Sequence, residues 1–233
     1  MEKKYKLTDE TIGFEGKTLY RIEALKDFGE IKKGDKGGFI ESENNLAHEG
    51  DAWVSDDAWV FENARVYGNA HVYGEAWVYG SACVYGDACV FGFACVYDNA
   101  WVSGNGQVYG NARVYDSAHL YGNACVYGNA EVYDHACVYG DARVYGDALV
   151  RGDACVCGNA KISNKSDYIV FQNWWSSGRY FTWTRSNDMW SVGCFYGTGE
   201  ELIKKAYKDS ELSGMEYERI VKYVDEIKKD NGK

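Results

Sequence analysis

Four histidines, three cysteines, an aromatic–arginine loop and a set of aspartates are the groups in this 233-residue chain with chemistry to offer. His48, His71, His119 and His135 are each able to act as a general base or a metal ligand near neutral pH. Cys137, Cys155 and Cys157 carry sulfur donors of the kind a soft metal selects, but no C-x-x-C pair and no fourth ligand accompanies them. Trp174, Trp175 and Arg179 flank a Ser/Gly turn and have the composition of an interaction hot spot. Asp51, Asp87 and Asp141 offer negative charge at multiples of eighteen residues. The glycines recur with the turns described next, so none is read as a phosphate-cradling loop.

What must position these groups is a repeat. From Asp51 to Ser163 the chain reads Ala-x-Val-Tyr-Gly-Asn/Asp, with Ala at every sixth residue from 52 to 160 except Gly106. The aliphatic column from Val54 to Ile162 holds 17 Val, Leu120 and Ile162, nineteen hexads without insertion. Ala and Val alternate with x, so they face one way and x the other. Gly followed by Asn or Asp is turn chemistry, because these residues tolerate left-handed backbone. One short strand per hexad, always with the same inward pair, stacks as a parallel β-helix. The chain contains no Pro, as suits coils that must all donate N–H groups to a neighbour.

Period six leaves handedness open. Val108-Tyr109-Gly110-Asn111-Ala112-Arg113 resembles the aliphatic-x-x-x-small-x signature of bacterial hexapeptide-repeat proteins, whose fold is the left-handed parallel β-helix. The resemblance implies three hexads per triangular coil, hence a mainly β chain built on a single-stranded left-handed parallel β-helix of about six coils. Such a prism is roughly 30 Å long at ~4.8 Å per coil. Three outward aromatic ladders follow: Tyr73 to Tyr145, Phe61 to Tyr133, and Tyr67, Tyr85, Tyr121 and Tyr139. Stacking of like on like is their first role, and a face for self-association or a partner the second.

The same resemblance raises acyl transfer from coenzyme A as an alternative activity, and a three-histidine zinc centre as another. Neither fits the residues. The histidines are separated by 23, 48 and 16 residues, which spreads them over different faces or corners. No loop breaks the repeat to enclose a substrate, and only Arg65, Arg113, Arg143, Arg151 and Lys161 lie along the prism to meet cofactor phosphates. All four histidines read as surface residues. Cys83, Cys89, Cys95, Cys125, Cys137 and Cys155 read as small residues tolerated at x positions. No catalytic residue, metal or cofactor is therefore expected.

The two ends are not periodic. Residues 1–50 form an N-terminal cap and lead-in, with Tyr5–Thr8 and Thr18–Leu25 as a hairpin linked through Gly13 and Gly16. Residues 37–54 resemble the N-terminal lead-in of the YdcK-like branch of hexapeptide-repeat proteins from bacteria and their phages, a polymer-forming type. Residues 51–163 are the repeat, and 164–233 a C-terminal module of three strands and two helices. The expected strands are 167–172, 179–185 and 189–196, with turns at 176–178 and 186–188. Thr198-x-x-Glu201 and Ser213-x-x-Glu216 read as capping boxes. The stretch from Gly193 to Thr198 with the helix pair resembles a module appended to repeat proteins of Gram-positive bacteria and phages. Trp183 and Trp190 are assigned to its core.

Charge is distributed unevenly. Residues 47–163 carry 14 acidic and 5 basic side chains, nearly the whole of the chain's net −10. That balance excludes a phosphate-tracking nucleic-acid binder. No apolar run approaches a membrane span, and Met1–Lys6 leads into no signal core, so a cytoplasmic location with reduced thiols is expected. The function these features imply is a non-enzymatic scaffold acting through protein–protein interaction, with a protein partner or self-association through the aromatic faces. A phage or prophage origin fits the resemblance. The alternative is an acidic nucleic-acid mimic that inhibits a host nucleic-acid-handling or defence protein.

Overall fold

The computed structural model describes residues 2–175 and 177–230. Strands β1 (Tyr5–Phe14) and β2 (Lys17–Ala24) form an antiparallel hairpin, and β3 (Lys36–Ile40) pairs antiparallel with β2. Strands β4 to β22 are nineteen two-residue strands, one per hexad, from Trp53–Val54 to Lys161–Ile162. They assemble into three parallel sheets, so the repeat is a three-sided solenoid. Strands β23 (Tyr168–Gln172), β24 (Tyr180–Thr184), β25 (Met189–Val192) and β26 (Phe195–Gly197) form a separate antiparallel sheet. Helices α1 (Gly199–Asp209) and α2 (Glu211–Asp230) pack on it.

The hexad explains each coil directly. Every Ala and every aliphatic residue of the repeat is buried at 0 or 1 % exposure, forming one continuous core. Each step up the solenoid repeats three backbone bonds: Trp59 N–H to Ala76 O, Phe61 N–H to Val78 O, and Asn63 N–H to Gly80 O. The first turn residue lies in the left-handed region, as at Gly68 (φ 72°) and Asp98 (φ 55°). At Gly68 a Cβ would also meet the Gly86 backbone nitrogen at 3.0 Å, so glycine serves both the angle and the coil spacing. Ring planes of successive coils stack 4.8–5.3 Å apart and within 10° of parallel through the ladder from Tyr73 to Tyr145.

Nineteen hexads make a little over six coils, and the lead-in completes a seventh. Ile40 pairs with Val60 and Leu46 bridges to Val66, both twenty residues apart, whereas Val54 pairs with Val72 eighteen residues on. The first coil thus carries two extra residues between Leu46 and Val54, which hides it from a strict period of six. Side chains substitute for the missing regularity. Lys4 Nζ donates to the Gly50 and Ala52 carbonyls at 3.2 and 2.7 Å, Tyr5 donates to Leu46 O at 2.8 Å, and Asn45 Nδ2 donates to Glu62 O and Ala64 O. Burial lowers Lys4 to about 8, despite the opposing charge of Asp51.

The opposite end is closed by hydroxyls rather than by further strands. Thr182 Oγ1 accepts from Cys155 N–H at 2.8 Å, Ser186 Oγ accepts from Lys161 N–H at 2.7 Å, and the Tyr168 hydroxyl donates to Leu149 O at 3.1 Å. Each of the three sheets therefore has a last-rung backbone group answered by the C-terminal module, which blunts its edge.

Several expected boundaries shift for identifiable reasons. The hairpin turn is Glu15-Gly16, both with positive φ (47° and 78°), a two-residue primed turn matching strand twist. Gly13 lies within β1 rather than in the turn, and β1 continues past a bulge between Leu7 and Thr11. The third expected strand of the module divides at Gly193-Cys194, where φ of Gly193 is 56°. Thr198 and Glu201 do form a capping box. Ser213 does not open the second helix. The hydroxyl of Ser210 accepts from Ser213 N–H at 3.1 Å and starts α2 three residues earlier. Ser176, in the expected turn at 176–178, lies outside the described residues.

Candidate functional site

Strands β23 and β24 pair from Tyr168–Thr184 to Gln172–Tyr180, which leaves 173–175 and 177–179 in the connection between them. Buried Asn173 pins it: its N–H donates to Arg179 O at 2.7 Å, and its Oδ1 accepts from Trp175 N–H at 3.2 Å. The loop trio then divides. Trp174 is 83 % exposed, the most exposed large hydrophobic side chain among the described residues. Trp175 is half-buried, its ring 5.8 Å from Tyr217 and 6.2 Å from Phe181, and so belongs largely to the module's packing. Trp183 and Trp190 are buried at 2 %.

Arg179 is exposed and lies across the Gly193 turn, on the rim of a cleft of about 240 Å³. Val192, Phe195, Leu202 and Tyr217 give the cleft apolar walls, and Lys205 adds a second cation, with Asp209 the one acid. Lys205 Nζ sits 5.6 Å from the Phe195 ring centroid. Lys205 and Tyr217 were not legible as site residues, since their helical spacing marks only faces of α1 and α2. Trp174, Trp175 and Tyr217 form a continuous aromatic path from solvent to this cleft. A larger hollow of about 550 Å³ opens between β25 and the helices, but its lysines are paired: Lys228 with Asp188 and Asp225, Lys222 with Glu218.

The prism aspartates stand elsewhere, with defined partners. Asp87 Oδ1 accepts from Asn69 Nδ2 at 3.0 Å, and Asp141 Oδ1 accepts at 2.9 Å from Asn123, which itself accepts from Asn105. Each acid thus terminates a corner ladder of amides while staying exposed. Asp51, exposed on the same corner, donates its N–H to Asn69 Oδ1 at 3.4 Å. Acids at left-handed positions also accept from a backbone eighteen residues on: Asp56 from Gly74 N–H and Asp134 from Gly152 N–H.

The histidines are dispersed. His71 and His119 lie on different sheets, and His135 is exposed at a corner. Burial lowers His71. His48 departs from the surface reading: its ring stacks on Tyr5 at 4.4 Å and its Nδ1 accepts from Lys4 N–H at 3.2 Å, inside the N-terminal cap. Most outward cysteines point their thiols at the carbonyl two residues back, as in Cys83, Cys89 and Cys95, and burial raises all three. Among the described residues no group of three or more His, Cys, Asp or Glu gathers closely enough to hold a metal ion.

Against this geometry, the model of the YdcK β-solenoid repeat matches residues 64–80, 106–122 and 136–152. The prism is a YdcK-family β-solenoid. Each match begins on the small-residue column, at Ala64, Gly106 and Ala136, so the family pattern follows the hexad register seen in the coils. No curated protein matches the chain. The match carries the fold, and any functional reading rests on the side chains above. No helix among the described residues is long and apolar enough to cross a membrane.

Proposed function

We propose that this YdcK solenoid is a rigid, non-catalytic scaffold whose C-terminal module engages a protein partner. The observation that carries the reading is Trp174, 83 % exposed beside a cleft lined by Arg179, Lys205 and aromatic side chains. A large apolar ring left in water next to a cationic, apolar-walled recess is the composition of an interface core rather than of a solvated loop. The solenoid behind it supports a spacer role, because no loop leaves the coils to build a substrate pocket and its core runs unbroken from cap to module.

The test is partner capture from source-cell lysate by the full chain, read by quantitative mass spectrometry. Trp174→Ala with Arg179→Ala should reduce a specifically retained protein at least tenfold, while the Asp51→Lys, Asp87→Lys, Asp141→Lys triple variant retains it. Equal retention by the loop variant refutes the reading.

A second reading, the nucleic-acid mimic, draws on the prism's 14 acidic against 5 basic side chains. Seven coils at ~4.8 Å span about 34 Å, giving one net negative charge per ~4 Å against one per ~1.7 Å in duplex DNA. The density is less than half that of DNA, and Asp87 and Asp141 already terminate amide ladders, so this reading stands second. It predicts the reverse result, loss of capture in the triple lysine variant alone. Acyl transfer would instead require acetyl-coenzyme A binding, measured by calorimetry, that is lost on substituting His71 or His119.

A further inference from the structure

The last coil meets the C-terminal sheet across a small cluster of sulfur and hydroxyl groups. Cys155 occupies the outward position of β21 (Cys155–Val156), in register with Cys137 one coil away. Cys157 stands where the ladder of Tyr121 and Tyr139 would place the next ring. Strands β24 and β25 lie over this patch, so Cys157 is only 2 % exposed while Cys155 stays half-buried and reachable from solvent. Thr182 fixes the Cys155 backbone, and the Tyr139 hydroxyl lies 3.7 Å from Cys155 Sγ.

Ser191 supplies the second observation. It is 3 % exposed, and its Oγ has no hydrogen-bond partner satisfying ordinary geometry. Its surroundings are the Cys155 and Cys157 sulfurs and the Tyr139 hydroxyl. A buried hydroxyl without an acceptor is costly. Ser191, Tyr139 and Cys157 each bring a donor, and a sulfur anion is the acceptor able to answer all three.

We propose that Cys155 is a nucleophilic thiolate at the seam between solenoid and module, and a site of oxidation by hydroperoxides. In that step the Cys155 sulfur attacks one peroxide oxygen. An S–O bond forms and the O–O bond breaks. Hydrogen peroxide leaves as hydroxide, and Cys155 becomes a sulfenic acid, oxidised by two electrons. Donors turned toward its sulfur, Cys157 foremost and then Ser191 and Tyr139, lower Cys155 to about 6 against the opposing effect of burial. The same contact with Cys155 drives Cys157 strongly upward, and burial together with the contacts to Cys157 and Cys155 raises Tyr139. Cys137, the register neighbour without such donors, is pushed up by burial to about 11 and stays protonated.

The experiment uses the full reduced chain. Iodoacetamide pulse-labelling from pH 5 to 9, read cysteine by cysteine by peptide mass spectrometry, should give Cys155 a rate midpoint near pH 6. At that pH it reacts at about half its plateau rate, where an ordinary thiol of pKa ~8.5 reaches about 0.3 % of its own. Ser191→Ala, Tyr139→Phe and Cys157→Ala should each raise the midpoint, whereas Cys157→Ser, which keeps a donor, should hold it low. One equivalent of hydrogen peroxide followed by a sulfenate-specific dione should label Cys155 and spare the Cys155→Ser variant. A wild-type midpoint above pH 8 overturns the proposal without recourse to any variant. So does sulfenate label on exposed Cys194 with none on Cys155.

Discussion

Two departures from the repeat, Gly106 in the small column and Leu120 in the aliphatic column, are a single packing event. A Cβ built on Gly106 would lie 3.5 Å from both Cγ and Cδ2 of Leu120, and both residues are buried. Leu120 therefore packs directly against the face that Gly106 leaves bare, at the contact distance an alanine methyl would make with it. Leu120→Val alone removes one methylene from a fully buried site and leaves the gap, costing about 1 kcal/mol. Gly106→Ala alone puts a methyl in ordinary contact with Leu120 but only 3.0 Å from Ser103 O, so crowding at that carbonyl offsets the ~0.4–1 kcal/mol gained from restricting the unfolded chain. Combined, the two substitutions restore the alanine–valine pair of the other hexads, and the double variant should be at least as stable as the parent. The coupling energy should reach about 1 kcal/mol in favour of the double variant. Guanidinium unfolding of the four proteins, followed by tyrosine and tryptophan fluorescence, closes the cycle. Additive effects, within ~0.3 kcal/mol, would refute the shared-volume account.

Further perturbations probe the ends and the ladders. Gly38→Ala places a methyl 2.5 Å from Ala58 O and 2.8 Å from Val54 Cγ1, and should cost about 1–3 kcal/mol in a denaturation midpoint by separating the cap from the first coil. Thr182→Val with Ser186→Ala removes the acceptors for Cys155 and Lys161 N–H. End-to-end association should then appear in sedimentation velocity, with the parent as control. Two contributions to the pH dependence have opposite sign. Lys4 is lowered in the fold to about 8, so the unfolded chain binds the extra proton and stability rises between pH 8 and 10.5. Burial raises Tyr79 and Tyr97 to about 12, so their stabilisation is whole below pH 10 and is lost between pH 10 and 12; the full shift corresponds to about 1.4 kcal/mol each at pH 11, which solvent screening of these partly exposed rings reduces to about 1 kcal/mol or less. Because raised thiols such as Cys137 oppose the Lys4 contribution above pH 9, each part is read as a difference from the parent in guanidinium midpoints across pH 7 to 11.5: Lys4→Met should remove the rise, and Tyr79→Phe with Tyr97→Phe should lessen the fall.

The solenoid was legible because its constraint is local and repeated. One hexad specifies a turn, an inward pair and an outward pair, and eighteen-residue stacking then fixes every ladder, including the interruption at Ser103 between Tyr85 and Tyr121. Where the constraint is not periodic, the reading was less complete. The seventh rung escaped because two extra residues between Leu46 and Val54 break the period, although Ile40 and Leu46 carry the right side chains. Trp174, Trp175 and Arg179 are adjacent in sequence, and their shared loop was readable. That Trp175 turns inward while Trp174 stays out depends on Tyr217, forty-two residues later on α2.

Sequence alone thus determined the coil: which side chains fill it, which rings stack along it and where its charge lies. Those properties follow from contacts at a fixed separation, which a periodic pattern records. The tertiary structure decided how the coil ends. Buried Lys4 answering the first coil's carbonyls, hydroxyls of Thr182 and Ser186 closing the last strands, and Ser191 and Tyr139 converging on Cys155 are single long-range meetings. Each exists because a stack has two unsatisfied ends. The groups that satisfy them come from segments with no period to announce them.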